Sequence, residues 1–290
     1  MEHVEVLLEA LPFIREFYGK TMVIKIGGHA MVNDEILEEI VKDILLLYFV
    51  GIKPVVVHGG GPEISEKMER LGLKPKFVEG LRVTDKETIE VVEMVLDGKI
   101  NSKIVSIFIK NGGKAVGLSG KDGLLIVAEK KVMKLKKGSE EAVVDLGFVG
   151  ETKLVNPEIL RILLDNGFIP VVSPVSADLE GNVYNLNADN VAGEIAGALK
   201  AKKLIMLTDV PGILRDVNDR SSVISRIKLS ELEKLLEKGV LKGGMLPKVD
   251  AIAKALKGGV EKVHVIDGSR KHAILLELFT KEGVGTLVEL

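Results

Sequence analysis

The sequence predicts an α/β fold, an open and mostly parallel central sheet sandwiched by helices. Three observations predict it. Short runs such as Val55–Val57 are uniformly β-branched, as in strands buried on both faces. These runs alternate with stretches of helical periodicity, the pattern of successive βα units. Glycine turns follow several of the runs, drawing on 31 glycines in 290 residues.

Residues 4–18 place Val4, Leu7, Leu8, Leu11, Ile14, Phe17 and Tyr18 on one helical stripe, which Pro12 is expected to kink or split. This helix lies either on its own domain or on a partner chain. Met22–Ile26 follows as a short buried strand with one lysine, Lys25, before Gly27 and Gly28. A lysine in an apolar strand is costly unless its ammonium meets a partner or an anion; snorkelling past the strand end is the bland alternative. His29 reads as a loop residue, with no second histidine or carboxylate at metal spacing. A helix over 34–50 precedes the strand that ends at His58. Gly59, Gly60 and Gly61 then turn the backbone, and Pro62 suits a first helical position. A glycine turn at a helix N-terminus aims N–H groups and a positive dipole end at one spot, which suits an anion.

Phe77–Thr84 is a strand-to-loop passage with Arg82 ahead of a Thr84-x-x-Glu87 capping box. Arg82 either clamps a carboxylate bidentately or makes a plain surface ion pair. Residues 86–111 read as helical with a break near Asp97–Gly98. Strands are expected at 115–120, 124–129, 132–136 and through 143–154, as β-hairpins inserted in the frame. A helix over 157–166 and a buried strand over 168–174 come next. A hairpin turning at Glu180–Asn182 delivers Asn185, Asn187 and Asp189 to the start of a helix over 188–199. N-capping by Asn187 accounts for one of these three polar groups. The strand from Lys203 ends in Thr208 and Asp209. After a helix over 229–239, Gly243 and Gly244 make another turn, with Pro247 at a helix entry and Lys248 one residue inside. A strand over 260–266, a short helix over 272–280 and a strand over 283–288 close the chain.

A charged fraction of 28% with a net charge of -2 gives no basic field for nucleic acid. The chain has no cysteine, so disulfide and thiolate chemistry are excluded. The longest apolar run, Ile44–Ile52, is about half of a membrane span, and no signal-peptide pattern opens the chain. The expectation is a cytoplasmic protein with no membrane partner. The absence of cysteine and glutamine beside abundant lysine and glutamate leans towards a heat-adapted source.

Neither the Walker A loop, the dinucleotide-binding glycine fingerprint nor the protein-kinase motifs are present. What the chain does carry is glycine turns at strand ends, two lysines on such turns and the Asn185-Leu-Asn-Ala-Asp189 cluster. Phosphoryl transfer needs these parts, since it depends on positioning and on neutralising charge spread over the moving group. The words Lys25-Ile-Gly-Gly28, His58-Gly-Gly-Gly61, Gly80-Leu-Arg-Val-Thr84, Gly117-Leu-Ser-Gly-Lys-Asp122, Asn185-Leu-Asn-Ala-Asp189, Leu207-Thr-Asp-Val210 and Gly243-Gly-Met-Leu-Pro-Lys248 occur in that order. Over its whole length the chain resembles the amino acid kinase family, and within it the kinases of N-acetyl-L-glutamate.

The resemblance implies ATP as phosphoryl donor, with Mg²⁺ held mainly through the nucleotide phosphates and no metal-ligand set on the chain. It implies Lys25 and Lys248 flanking the transferred phosphoryl group and Asp189 orienting both. Gly28 and Gly60 would donate N–H groups to phosphoryl or carboxylate oxygens, Gly27 would lie with Gly28 at the phosphates, and Gly60 and Gly61 would cradle the substrate. Arg82 would hold its α-carboxylate and Asn185 its acetamido group, with Thr208 and Asp209 beside the nucleotide. It implies an oligomerisation helix over 1–20, a lobe over 21–180 for the acyl amino acid and dimerisation, and a lobe over 181–290 for nucleotide and arginine. Arginine-inhibited members resemble this chain in the extra N-terminal helix and in the stretch His272–Thr286, implying a hexamer built as a trimer of dimers. His272, Glu282 and Gly285 would then bind L-arginine. Rival readings are an acyl-aminoadipate or glutamate kinase of the same fold, a non-catalytic amino acid sensor and a dehydrogenase. Joint retention of Lys25, Lys248 and Asp189 speaks against the sensor, and the missing glycine fingerprint against the dehydrogenase.

Overall fold

The computed structural model describes residues 2–31, 33–137, 140–216, 218–241, 243–280 and 283–290. Helix α1 (Glu2–Phe17) precedes β1 (Thr21–Ile26), α2 (Asp34–Phe49), β2 (Lys53–His58) and α3 (Gly61–Arg70). The short pair β3 (Phe77–Val78) and β4 (Leu81–Arg82) leads into α4 (Lys86–Glu93), a π-helix (Met94–Asn101) and α5 (Ser102–Lys110). Five strands follow: β5 (Ala115–Ser119), β6 (Ile126–Lys130), β7 (Met133–Lys137), β8 (Glu140–Val144) and β9 (Gly150–Val155). Then come α6 (Glu158–Asp165), β10 (Ile169–Ser173), β11 (Val175–Ala177), β12 (Val183–Asn185), α7 (Ala188–Leu199) and β13 (Lys203–Thr208). The last elements are β14 (Arg226–Lys228), α8 (Leu229–Glu237), α9 (Met245–Lys257), β15 (Lys262–Asp267), α10 (Ala273–Phe279) and β16 (Thr286–Glu289).

The main sheet has the order β14-β16-β15-β13-β1-β2-β10-β5. All neighbours from β15 to β5 are parallel, β16 is antiparallel to β15, and β14 runs parallel to β16. Alternate side chains of the central strands feed two cores. Met22, Ile24 and Ile26 join the residues of α2, whereas Val23, Val55 and Val57 join those of α7 and α9. The chain steps from β1 to β2 on one side and returns much later to β13 on the other. The strand order therefore reverses at β1, and the carboxyl ends of the three parallel strands lie at one edge of the sheet. Of the stretch expected as inserted hairpins, β7 and β8 pair as a separate hairpin and β6 and β9 join a second sheet, β12-β11-β6-β9, whereas β5 belongs to the main sheet, parallel to β10.

Four local expectations are corrected. Helix α1 runs through Pro12 without a split, because Phe13 and Phe17 beyond it pack on the core. The expected break at Asp97–Gly98 is a π-helix instead; Val95, Leu96, Ile100 and Asn101 are buried, and the wider winding absorbs the glycine. Asp85, not Thr84, caps α4, its carboxylate accepting the Thr88 N–H at 2.9 Å. Thr84 is committed elsewhere, its hydroxyl donating to the Arg82 carbonyl and its N–H to that of Leu146. The edge strand β14 has no counterpart in the sequence reading, being three residues with one buried apolar side chain.

No helix among the described residues is long and apolar enough to cross a membrane.

Candidate active site

Lys25 lies on the α7 face of β1, next to its carboxyl end, so its stem runs through the core and its ammonium emerges at a crevice. The Lys25 ammonium stands 2.8 Å from Asp189 Oδ1, and the Lys248 ammonium donates to Asp189 Oδ2 at 3.1 Å. Asp189 is fixed by its helix start: Asn187 caps α7, its side chain accepting from the N–H groups of Asp189 and Asn190 at 2.9 and 3.2 Å. Lys25 and Asp189 are each 7% exposed, which excludes snorkelling for the lysine. Burial pushes the Asp189 carboxyl up, but the two ammonium groups more than reverse this and hold it below the usual carboxylate range. Two cations on one anion leave a net positive charge at the crevice. A Cβ at Gly27 would sit 2.0 Å from Lys25 Nζ, so a side chain there would displace the ammonium from its place beside Asp189. Lys248 is the fourth residue of α9, which begins at Met245 rather than at Pro247 as the sequence suggested.

A cavity of about 150 Å³ adjoins this centre, lined by Lys25, Gly27 and Asp189 together with the turn Gly59–Gly61. Among the described residues, neither the Gly60 nor the Gly61 N–H makes a hydrogen bond within the chain, so both remain free for a ligand. Gly28 opens a single 3₁₀ turn, Gly28–Met31, beside them. The same turn borders a larger cavity of about 460 Å³, into which Arg82 and Asn185 also face. Arg82 is buried; it donates to the Gly61 carbonyl at 2.8 Å and the Ser65 hydroxyl at 2.9 Å, and lies 4.7 Å from the centre of the Phe77 ring. Its partners are neutral, so the surface ion pair is excluded and the guanidinium charge is uncompensated among the described residues. Burial lowers its pKa, without bringing a guanidinium near neutrality.

Thr208 and Asp209 sit at the carboxyl end of β13 but line neither cavity; the Thr208 hydroxyl donates to Asp209, which is exposed. His272 lies apart from the crevice, its Nδ1 2.7 Å from Asp43 Oδ1 and its Nε2 3.6 Å from Glu39, beside a separate surface cavity. The Gly285 N–H donates to buried Glu277 at 3.1 Å. Glu282 lies outside the described residues. Asp43 has its carboxyl raised by burial.

Two buried polar groups were missed. Lys203, His264 and Glu277 form a chain: Lys203 Nζ is 2.9 Å from His264 Nε2, and His264 Nδ1 is 2.5 Å from Glu277 Oε1. Burial pulls Lys203 down to about 8. The sequence signal was present, because His264 interrupts an apolar strand as Lys25 does. The second group, His58 with Asn101, carried no local signal.

A crevice at a strand-order reversal, with an ammonium pair held on one carboxylate and free glycine N–H groups, defines a phosphate-handling α/β protein. The model of the amino acid kinase family matches residues 20–267. An acetylglutamate kinase of Archaeoglobus fulgidus is 78% identical over 289 residues, covering 100% of both chains. Among solved structures, N-acetylglutamate synthase from Neisseria gonorrhoeae complexed with coenzyme A and N-acetyl-glutamate has a TM-score of 0.84 at 26% identity, covering 99% of this chain and 63% of that one. The same synthase complexed with coenzyme A and L-arginine has a TM-score of 0.82 at 26% identity, covering 99% and 65%. This chain thus spans a little under two thirds of the synthase. The chain belongs to the amino acid kinase family, and the protein is a kinase.

Proposed function

We propose that the protein transfers the γ-phosphoryl group of ATP to the side-chain carboxylate of N-acetyl-L-glutamate, giving N-acetyl-L-glutamyl 5-phosphate in the second step of arginine biosynthesis. The observation that carries this reading is Asp189 holding two ammonium groups beside the small cavity, while the larger cavity across the shared Gly59–Gly61 turn holds a buried Arg82 with no carboxylate partner among the described residues. A carboxylate oxygen of the acceptor attacks the γ-phosphorus, and the bond to the β–γ bridging oxygen breaks with its electron pair leaving on ADP. An acceptor carboxyl of pKa near ~4.3 is already ionised, so no general base is needed. Asp189 fits the part of orienter, because both its oxygens face ammonium groups.

Lys25 and Lys248 neutralise charge on the moving group, and Gly27, Gly28 and Gly60 supply N–H donors. Gly60 and Gly61 cradle the acceptor, Arg82 takes its α-carboxylate and Asn185 its acetamido group. Thr208 and Asp209 meet the nucleotide, so residues 21–180 form the acyl amino acid lobe and 181–290 the nucleotide lobe. Mg²⁺ arrives on the ATP phosphates, which suits a centre whose one carboxylate is occupied by lysines. A cytoplasmic location accords with these substrates. A coupled ATP assay over N-acetyl-L-glutamate, acyl-aminoadipate, L-glutamate and L-aspartate tests the reading; preference for free glutamate overturns it.

Inhibition by L-arginine in a hexameric ring, a trimer of dimers, belongs to the same reading. Phe17 of α1 is buried on its own chain, but Leu8 is 60% and Leu11 48% exposed, so these members of the apolar stripe are open to a cover. The fold-level likeness to a synthase solved with L-arginine supports an arginine site including His272, Glu282 and Gly285. Deleting residues 1–18 should break the hexamer and weaken the arginine response. A full-length dimer, or a truncated hexamer with the response intact, sinks this part.

A further inference from the structure

Behind the Gly59–Gly61 turn lies a hydrogen-bond relay that the chemistry above leaves unused. His58, the last residue of β2, is fully buried, and its Nε2 lies 3.1 Å from Asn101 Nδ2. Asn101 Nδ2 also lies 2.9 Å from the Val171 carbonyl and 3.3 Å from that of Leu118. Carbonyls only accept, so the atom facing them is the amide nitrogen, and Asn101 presents an N–H to His58. Its two hydrogens are shared among three acceptors. Nε2 is therefore the acceptor of the ring, and the ring proton sits on Nδ1. Nδ1 in turn lies 3.1 Å from the Gly59 carbonyl and donates to it. Burial holds the His58 pKa down to about 4, which keeps the ring neutral at physiological pH.

The carbonyl of Gly59 and the N–H of Gly60 belong to one peptide plane and point in opposite directions. Holding that carbonyl towards the His58 ring turns the Gly60 N–H away from it, and Gly60 itself lines the small cavity bordered by Lys25 and Asp189. The other side of the turn is also fixed. A Cβ on Gly60 would meet Ile100 Cδ1 at 2.2 Å and Leu96 Cδ2 at 2.8 Å. Leu96, Ile100 and Asn101 all come from the π-helix Met94–Asn101, a winding that is rare and concentrated at functional sites.

We propose that Asn101 and His58 are positioning residues: Asn101 keeps the His58 proton on Nδ1, and that proton holds the Gly59 carbonyl so that the Gly60 N–H faces the transferred phosphoryl group. The inference rests on the phosphoryl-transfer reading and adds the residues that aim one of its donors. Two substitutions separate aiming from packing. His58→Gln sets an amide near the former Nε2, so Asn101 keeps a partner while the Gly59 carbonyl loses its donor. His58→Asn sets its amide nitrogen near the former Nδ1 and keeps that donor. His58→Gln should lower kcat by ~10- to 100-fold, with both KM values within about threefold, and His58→Asn should restore most of the loss. Equal losses in the two variants, or a loss carried by KM, overturn the proposal.

A spectroscopic arm needs neither variant to be active. With ¹⁵N-labelled histidine, the His58 ring should show the Nδ1–H form from roughly pH 6 to 9. An Nε2–H form overturns the relay whatever the kinetics. If the wild-type chain phosphorylated none of the acceptors, the functional reading would fall, while the tautomer would still decide the relay.

Discussion

Two cationic centres stand on either side of the Gly59–Gly61 turn, which lines both cavities, and they are held in opposite ways. Lys25 and Lys248 share the carboxylate of Asp189, which a capped helix start fixes in turn. Arg82 rests on a carbonyl, a hydroxyl and an aromatic ring, with no anion beside it among the described residues. The first centre is assembled before any ligand arrives, so its charge is available to a group whose charge redistributes during reaction. The second has its charge outstanding, and on the proposed reading a substrate carboxylate would complete it in the bound ground state. Burial of a cation alone therefore says little about its task; the partner it already has says more. Loss at the lysine centre should appear in kcat and loss at the arginine in KM.

The largest effect tests the lysine side. Lys248→Ala should lower kcat by ~10²- to 10³-fold while the KM of the acyl amino acid moves only a few-fold. Steady-state kinetics with both substrates varied reads this split directly. An unchanged kcat removes Lys248 from the centre and ends the comparison.

Next in size is the arginine side. Arg82→Ala should raise the KM of the acyl amino acid by ~10- to 100-fold, the worth of a charge-assisted bond of roughly 1.5–3 kcal/mol. The KM of ATP should stay within about twofold. Equal damage to ATP binding would assign Arg82 to the nucleotide or to the fold. Arg82→Lys keeps the charge and discards the planar fork, so its KM should fall between the two.

The parts of the lysine centre were legible in local features, whereas the joining of Lys25 and Lys248 through Asp189 was implied by the family resemblance. One lysine in an apolar strand, glycines at a strand end and an asparagine at a helix start each carry their own physical signature. Arg82 was only half legible: its place before a helix was visible, but its burial depends on Ser65, Met68 and Phe77, which reach it through the tertiary fold. The π-helix was read as a break because glycine after aspartate usually ends a helix; only the buried Leu96, Ile100 and Asn101 show why winding continues. Thr84 looked like a cap because its pairing with the distant segment around Gly147 leaves no mark nearby. His58 and Asn101 stand 43 positions apart, and no periodicity links them.

The smallest effect separates the two centres by pH. The Asp189 carboxyl is held below the ~3.9 of an unfolded aspartate, burial opposing and the two ammonium groups outweighing it. Its ionised form favours the folded chain, so the contribution is complete above that ordinary value and is lost as pH falls through the lower folded one. Within this window the unfolded chain binds up to one proton more, and stability drops with a slope of at most ~1.4 kcal/mol per pH unit from this group. Asp189→Asn removes the titrating proton. It should lower stability near neutrality, where buried Lys25 and half-buried Lys248 then lack their shared anion, and should flatten the acid limb. Arg82→Ala should displace the whole curve and leave its slope alone, since a guanidinium does not titrate there. Urea midpoints for the three proteins over roughly pH 2 to 7 make the measurement. If Asp189→Asn kept the wild-type slope, Asp189 would not be the ionised clamp between the lysines, and the contrast between a pre-assembled centre and a waiting one would lose its first half.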